Sequence, residues 1–190
     1  MSDALDALYA GDVEKARELL PADDELSVFE AAAFGRLERL RSILADDASR
    51  ATSFSDDGFT ALHLAVFTEQ AEAARLLIEH GADVNARSTS AIAQVPPLGT
   101  AAFVRSVPLS RLLLDAGADV NGKGEGGFTA LHAAAANGDE KLVQLLLERG
   151  ADASLLTAQG KRPADLVQSE ALRVLLPQSE EDHAPRGMSA

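Results

Sequence analysis

Along the chain, apolar residues recur in short blocks with helical spacing, and each block ends near a glycine. In EKLVQLLLERG, residues 140–150, Leu142, Leu145 and Leu146 fall at i, i+3 and i+4, one face of a helix. Gly150 ends that helix, where a left-handed residue is wanted. Ahead of it, Thr129 is a good N-cap for the Ala-rich segment 130–136. Asn137-Gly138 stops that segment and Asp139 caps the next. The pattern predicts two short helices joined by a tight turn. Neither hides its apolar face alone, so such pairs must stack on one another.

The pairing repeats. GFTALH occurs at 58–63 and at 127–132, GADVN at 81–85 and at 117–121, and GAD once more at 150–152. The two FTALH copies lie 69 residues apart, and VPPLG at 95–99 occupies the place of a middle copy. From Thr60, Pro96 and Thr129 the Gly of each Gly-Ala-Asp turn follows after 21 residues. Extending the register gives six units: 2–25, 26–59, 60–95, 96–128, 129–161 and 162–177. The first and last read as polar caps, and 178–190 as a disordered tail.

These motifs resemble the ankyrin repeat family over residues 2–177. DGFTALHLA (57–65) and GGFTALHAA (126–134) resemble its T-P-L-H-x-A signature, with Ala in place of Pro. LLIEHGADVNA, LLLDAGADVNG and LLLERGADAS resemble its second helix and turn. The resemblance implies an all-α solenoid of L-shaped helix–turn–helix units joined by β-hairpin-like fingers. It implies that His63 and His132 each bond the Thr three residues earlier and a neighbouring backbone. It also implies a non-enzymatic protein-binding scaffold whose partner, as yet unidentified, docks along the concave groove; a regulator or inhibitor fits such a chain.

Composition narrows this further. Aromatics are few and Trp is absent, so the core must be built from Leu, Ala, Val and Ile. There is no Cys, which removes disulfides and thiolate chemistry and suits a reducing cytoplasm. The net charge is −13, and residues 1–58 carry 14 acids against 6 bases. Such a surface repels phosphate backbones, so nucleic-acid binding is disfavoured. No apolar run reaches the roughly 18 residues of a membrane span, and the start shows no secretory signal. A monomer is expected.

Gly122, Gly124 and Gly127 satisfy G-x-G-x-x-G, the cradle of a dinucleotide pyrophosphate. A nucleotide-binding protein or enzyme using this segment is the alternative reading. The register, however, puts the glycines in a finger after a helix and turn, not between a strand and a helix. No histidines have metal-ligand spacing and no carboxylates are paired for acid–base work, so neither enzyme activity nor a cofactor is expected. Phenylalanine is more informative. Phe34, Phe67 and Phe103 recur seven or eight residues after a unit start, then Ala136 and Asn137 take the same place. Phe59 and Phe128 precede the motif Thr. In the family these positions face the groove, and aligned aromatics there form a patch for a partner. Unit four lacks the Thr and His, and its finger carries Ile92 and Val95. Unit two has Leu26 and Phe29 at the motif positions, and both units are expected to be less rigid. The expected partner-binding residues are Asp56, Asp57, Phe59, Phe67, Ile92, Val95, Phe103, Glu125, Phe128 and Asn137. They combine an apolar centre with an acidic rim, and so favour a partner with basic groups around an apolar spot.

Overall fold

The computed structural model describes residues 2–91 and 93–176. Ile92 and the expected tail 178–190 lie outside the described residues. Eleven α-helices alternate along them: α1 (Asp3–Tyr9), α2 (Val13–Glu18), α3 (Val28–Ala33), α4 (Leu37–Asp46), α5 (Ala61–Phe67), α6 (Ala71–Glu79), α7 (Pro97–Phe103), α8 (Val107–Asp115), α9 (Ala130–Ala136), α10 (Glu140–Glu148) and α11 (Glu170–Leu175). Helices α3, α5, α7 and α9 pack side by side as an inner layer, and α4, α6, α8 and α10 as an outer one. This is the all-α solenoid that the repeats imply.

The seam between layers is continuous. Leu62, Leu77, Leu98, Leu113, Leu131 and Leu146 are all buried in one apolar cluster. Alanines 65, 101, 102 and 134 in the inner helices have no exposed surface. Their small side chains let neighbouring backbones approach, which longer residues at those positions would prevent.

Inner helices α3, α5 and α9 start on a side-chain cap, whereas α7 starts at Pro96 without one. Thr60 and Thr129 accept from the backbone of His63 and His132, and each His closes a capping box. The Thr60 N–H donates to Nδ1 of His63 at 3.3 Å, so Nε2 carries the proton and donates to the Val95 carbonyl at 2.9 Å. His132 repeats this with Thr129 at 3.2 Å and Lys161 at 3.0 Å. One imidazole thus caps its own helix and holds the next finger, as the family resemblance implies.

Unit two corrects the expectation. Its inner helix is capped by Ser27, not begun at Leu26, and Glu30 stands where His63 stands. Glu30 Oε2 accepts from Ser27 N at 2.9 Å and from Ser27 Oγ at 2.8 Å, so the brace is replaced rather than lost. The finger before α5 is a short hairpin, with a bridge between Phe54 and Thr60. Gly58 at its tip has φ +85°, and a Cβ there would stand 2.5 Å from the Ser90 backbone. The next finger therefore rests directly on this glycine, through Thr89 N–H to the Gly58 carbonyl at 2.9 Å.

On the opposite edge an asparagine ladder joins the turns. Asn85 accepts from Asp119 N at 2.7 Å and donates to Gly117 O at 3.2 Å. Asn121 accepts from Asp152 N at 2.8 Å and donates to Gly150 O at 3.5 Å.

The N-terminal pair departs from the stack. Packed helices stand about 8–10 Å apart, so a unit in register lies about twice that from the next but one. The Tyr9 ring in α1 nevertheless sits 5.9 Å from Phe59, at the end of the second unit, and 6.2 Å from Phe67, in the third. Ser2, at the other end of α1, bonds Glu30 of the second. Helix α1 therefore crosses the inner face from α3 towards α5. Leu5, Leu8 and Ala16 form a second apolar cluster there with Ala33 and Leu64.

Replacing Asn85 or Asn121 by Ala should cost about 1 kcal/mol each. The urea midpoint should fall while far-ultraviolet circular dichroism keeps its helical shape.

Candidate protein-binding groove

Inner-helix residues and finger tips meet along the groove, and one depression stands out. A cavity of about 440 Å³ is lined by Phe59 and Val95 from successive fingers, by His63, Leu64 and Phe67 of α5 and by Gly99, Thr100 and Phe103 of α7, with Tyr9 at one end. Its origin is a deletion of side chain. Gly99 lies three residues after the cap Pro96, as His63 lies three after Thr60. With no imidazole at 99, space remains between Val95 and Phe103. The departure of unit four from the motif goes with a pocket on the groove.

The ten expected residues fall into groups. Phe59, Phe67, Val95 and Phe103 are brought together around the cavity. Phe103 is 69% exposed, whereas Phe67 is half-buried under Tyr9. Asp56 and Asp57 form the turn of the adjoining finger, where Asp57 accepts from Ser55 Oγ. Glu125 and Phe128 lie on a later finger and do not line the cavity; the Phe128 ring leans on His132 with centroids 5.5 Å apart. Asn137 donates to the Ala102 carbonyl at 3.3 Å, so its amide joins α9 to the end of α7. Ile92 lies outside the described residues.

Sequence reading missed Tyr9. Its signal was present: Tyr9 follows the cap Ser2 by seven residues, as Phe34 follows Ser27, Phe67 follows Thr60 and Phe103 follows Pro96. Burial first, and then the Asp57 carboxylate beside it, push the Tyr9 phenol far above its ordinary value. Tyr9 Oη and Asp57 Oδ2 are buried against one another, at a geometry short of a well-formed hydrogen bond.

The glycine-rich finger is not a phosphate cradle. Gly122 N–H donates to Asp119 O, Gly124 N–H to Phe128 O and Gly127 N–H to Gly124 O. The amides that would hold a pyrophosphate are already spent. Gly124 is there for contact: a Cβ would meet the Val95 side chain at 3.0 Å.

Residues 57–89 match the family model described as Ankyrin repeat, and residues 93–157 the one described as Ankyrin repeats (3 copies). The chain belongs to the ankyrin repeat family. It is 39% identical over 126 residues to B-cell lymphoma 3 protein of Homo sapiens, which covers 62% of this chain and 27% of that protein. It is 33% identical over 118 residues to Ankyrin repeat and SOCS box protein 11 of Danio rerio, 60% of this chain and 38% of that one. A stretch of 41 residues is 49% identical to Tyrosine-protein kinase HTK16 of Hydra vulgaris, 5% of its length. The chain thus spans well under half the length of these relatives. Ankyrin repeats are in general protein–protein interaction modules and not catalysts.

Burial lowers the His63 pKa to about 4 from an ordinary 6.5. Between those values the unfolded chain takes up a proton that the folded chain refuses. The stability linked to His63 is therefore complete above about pH 6.5 and is lost as pH falls towards 4. The loss should amount to roughly 3 kcal/mol. Urea unfolding at a series of pH values measures it, and His63→Gln should flatten the slope over that window.

Proposed function

We propose that this chain is a non-enzymatic scaffold that captures a partner protein along its concave groove. The domain spans residues 1–177 in six units, and the partner inserts an apolar side chain into the cavity between α5 and α7. The observation that carries this reading is the cavity itself, with the exposed Phe103 ring at its rim. A pocket of about 440 Å³ accommodates one large side chain with room to spare. Apolar depressions of this kind are where interface energy concentrates. The acidic finger turn at Asp56 and Asp57 adds charge at the border, and so favours basic groups on the partner around the inserted residue. A stiff stack presents these groups already arranged, so little ordering is required when the partner docks. Capture of this kind blocks whatever surface the partner contributes, as a regulator or inhibitor does.

Phe103→Ala isolates this reading, because the ring is exposed and its loss should alter stability by no more than about 0.5 kcal/mol. Capture of the partner from native lysate, quantified by mass spectrometry against the unaltered chain, should fall at least about tenfold. Unchanged recovery of every captured protein would remove this groove from consideration.

A further inference from the structure

The groove is already partly occupied, and by the chain itself. Helix α1 lays Leu5, Leu8 and Tyr9, spaced i, i+3 and i+4, onto the inner face, while Asp3 and Asp6 point to solvent. The fit is imperfect in three ways. A second cavity of about 310 Å³ remains beneath the pair, lined by Leu8 and Arg17 on one side and by Ala33, Phe34, Phe67 and Thr68 on the other. Tyr9 Oη and Asp57 Oδ2 are buried against one another without a well-formed hydrogen bond. Asp6 and Asp57 also both act on Tyr9, so an acidic helix lies against an acidic finger. Helices of seven and six residues have little stability of their own.

We propose that the inner face formed by α3 and α5 is a docking site for a short amphipathic helix, filled in the free chain by residues 3–18, and that a partner supplies a basic helix with the same apolar spacing, which enters by exchange. This deepens the groove-binding reading and rests on it. The internal helix shows what the face accepts: three apolar residues on one side over about two turns. The charge shows what would bind better. A Lys or Arg near the Tyr9 end would pair with Asp57, which the resident helix meets only with the neutral Tyr9 phenol, and would replace like-charge repulsion by attraction. The resident helix lowers apparent affinity by competition until it is displaced.

The probe is a fluorescently labelled synthetic peptide of residues 2–19, alone and with Asp6→Lys. It is titrated by polarisation into three full-length chains. These are the native chain, one with Leu5→Asp and Leu8→Asp, and one with about 20 Gly/Ser residues inserted between Leu19 and Leu20. The doubly substituted chain should bind the peptide at least tenfold more tightly than the native chain. The insertion keeps every contact and only dilutes the resident helix, so it should improve binding about fivefold. The Asp6→Lys peptide should bind more tightly than the native peptide, and less so in high salt. Equal affinity for native and insertion chains, or no binding to either, overturns the proposal even if the doubly substituted chain fails to fold. Peptide failure alongside partner capture that still depends on Phe103 leaves the groove reading standing. Peptide binding alongside capture indifferent to Phe103 does the reverse.

Discussion

Two short helices make a unit with apolar residues on both flanks and no interior, so each unit exists only as a neighbour. The alanines at 65, 101, 102 and 134 are what let the inner helices come close enough to share one seam. From that approach the rest follows. The inner helices form one palisade, its helix ends and fingers line up, and whatever stands at one motif position stands beside its counterpart in the next unit. A column of aromatics, a row of histidine braces and a ladder of asparagines are all products of the same register.

That register was legible wherever the motif was strong. TALH and the Gly-Ala-Asp turn located the inner helix, the cap, the turn and the finger of the third and fifth units, because these motif residues make local bonds. Legibility failed where a different residue does the same job. Ser27 and Glu30 replace Thr and His with a carboxylate brace, shifting the apparent start by one residue and disguising an intact cap as a missing one. Tyr9 was hidden for another reason. Its position in the repeat could be counted, but its destination could not, since no local pattern says that α1 folds onto the inner face instead of stacking. Long-range placement of a weak unit is decided by which apolar surface it covers best. Here Leu5 and Leu8 find Ala33 and Leu64.

The fourth unit shows how loss and gain are linked in such a stack. Replacing His by Gly99 removes a side chain that elsewhere ties helix to finger, and a cavity of about 440 Å³ opens beside it. The finger ahead of it keeps its own bonds: the Val95 carbonyl accepts from His63 Nε2 at 2.9 Å, and Ser88 Oγ donates to Ala93 O at 2.6 Å and accepts from Val95 N at 2.9 Å. The proposed partner site is thus built from the same substitution that weakens the family motif.

The two asparagine bridges span different lengths of chain. Asn85 reaches a residue 34 positions on and Asn121 one 31 positions on, yet both close the same pair of bonds. The three surplus residues therefore leave no mark on the turn edge and emerge entirely in the finger edge. Length variation in this molecule has a single outlet, and it opens onto the surface where partners are met.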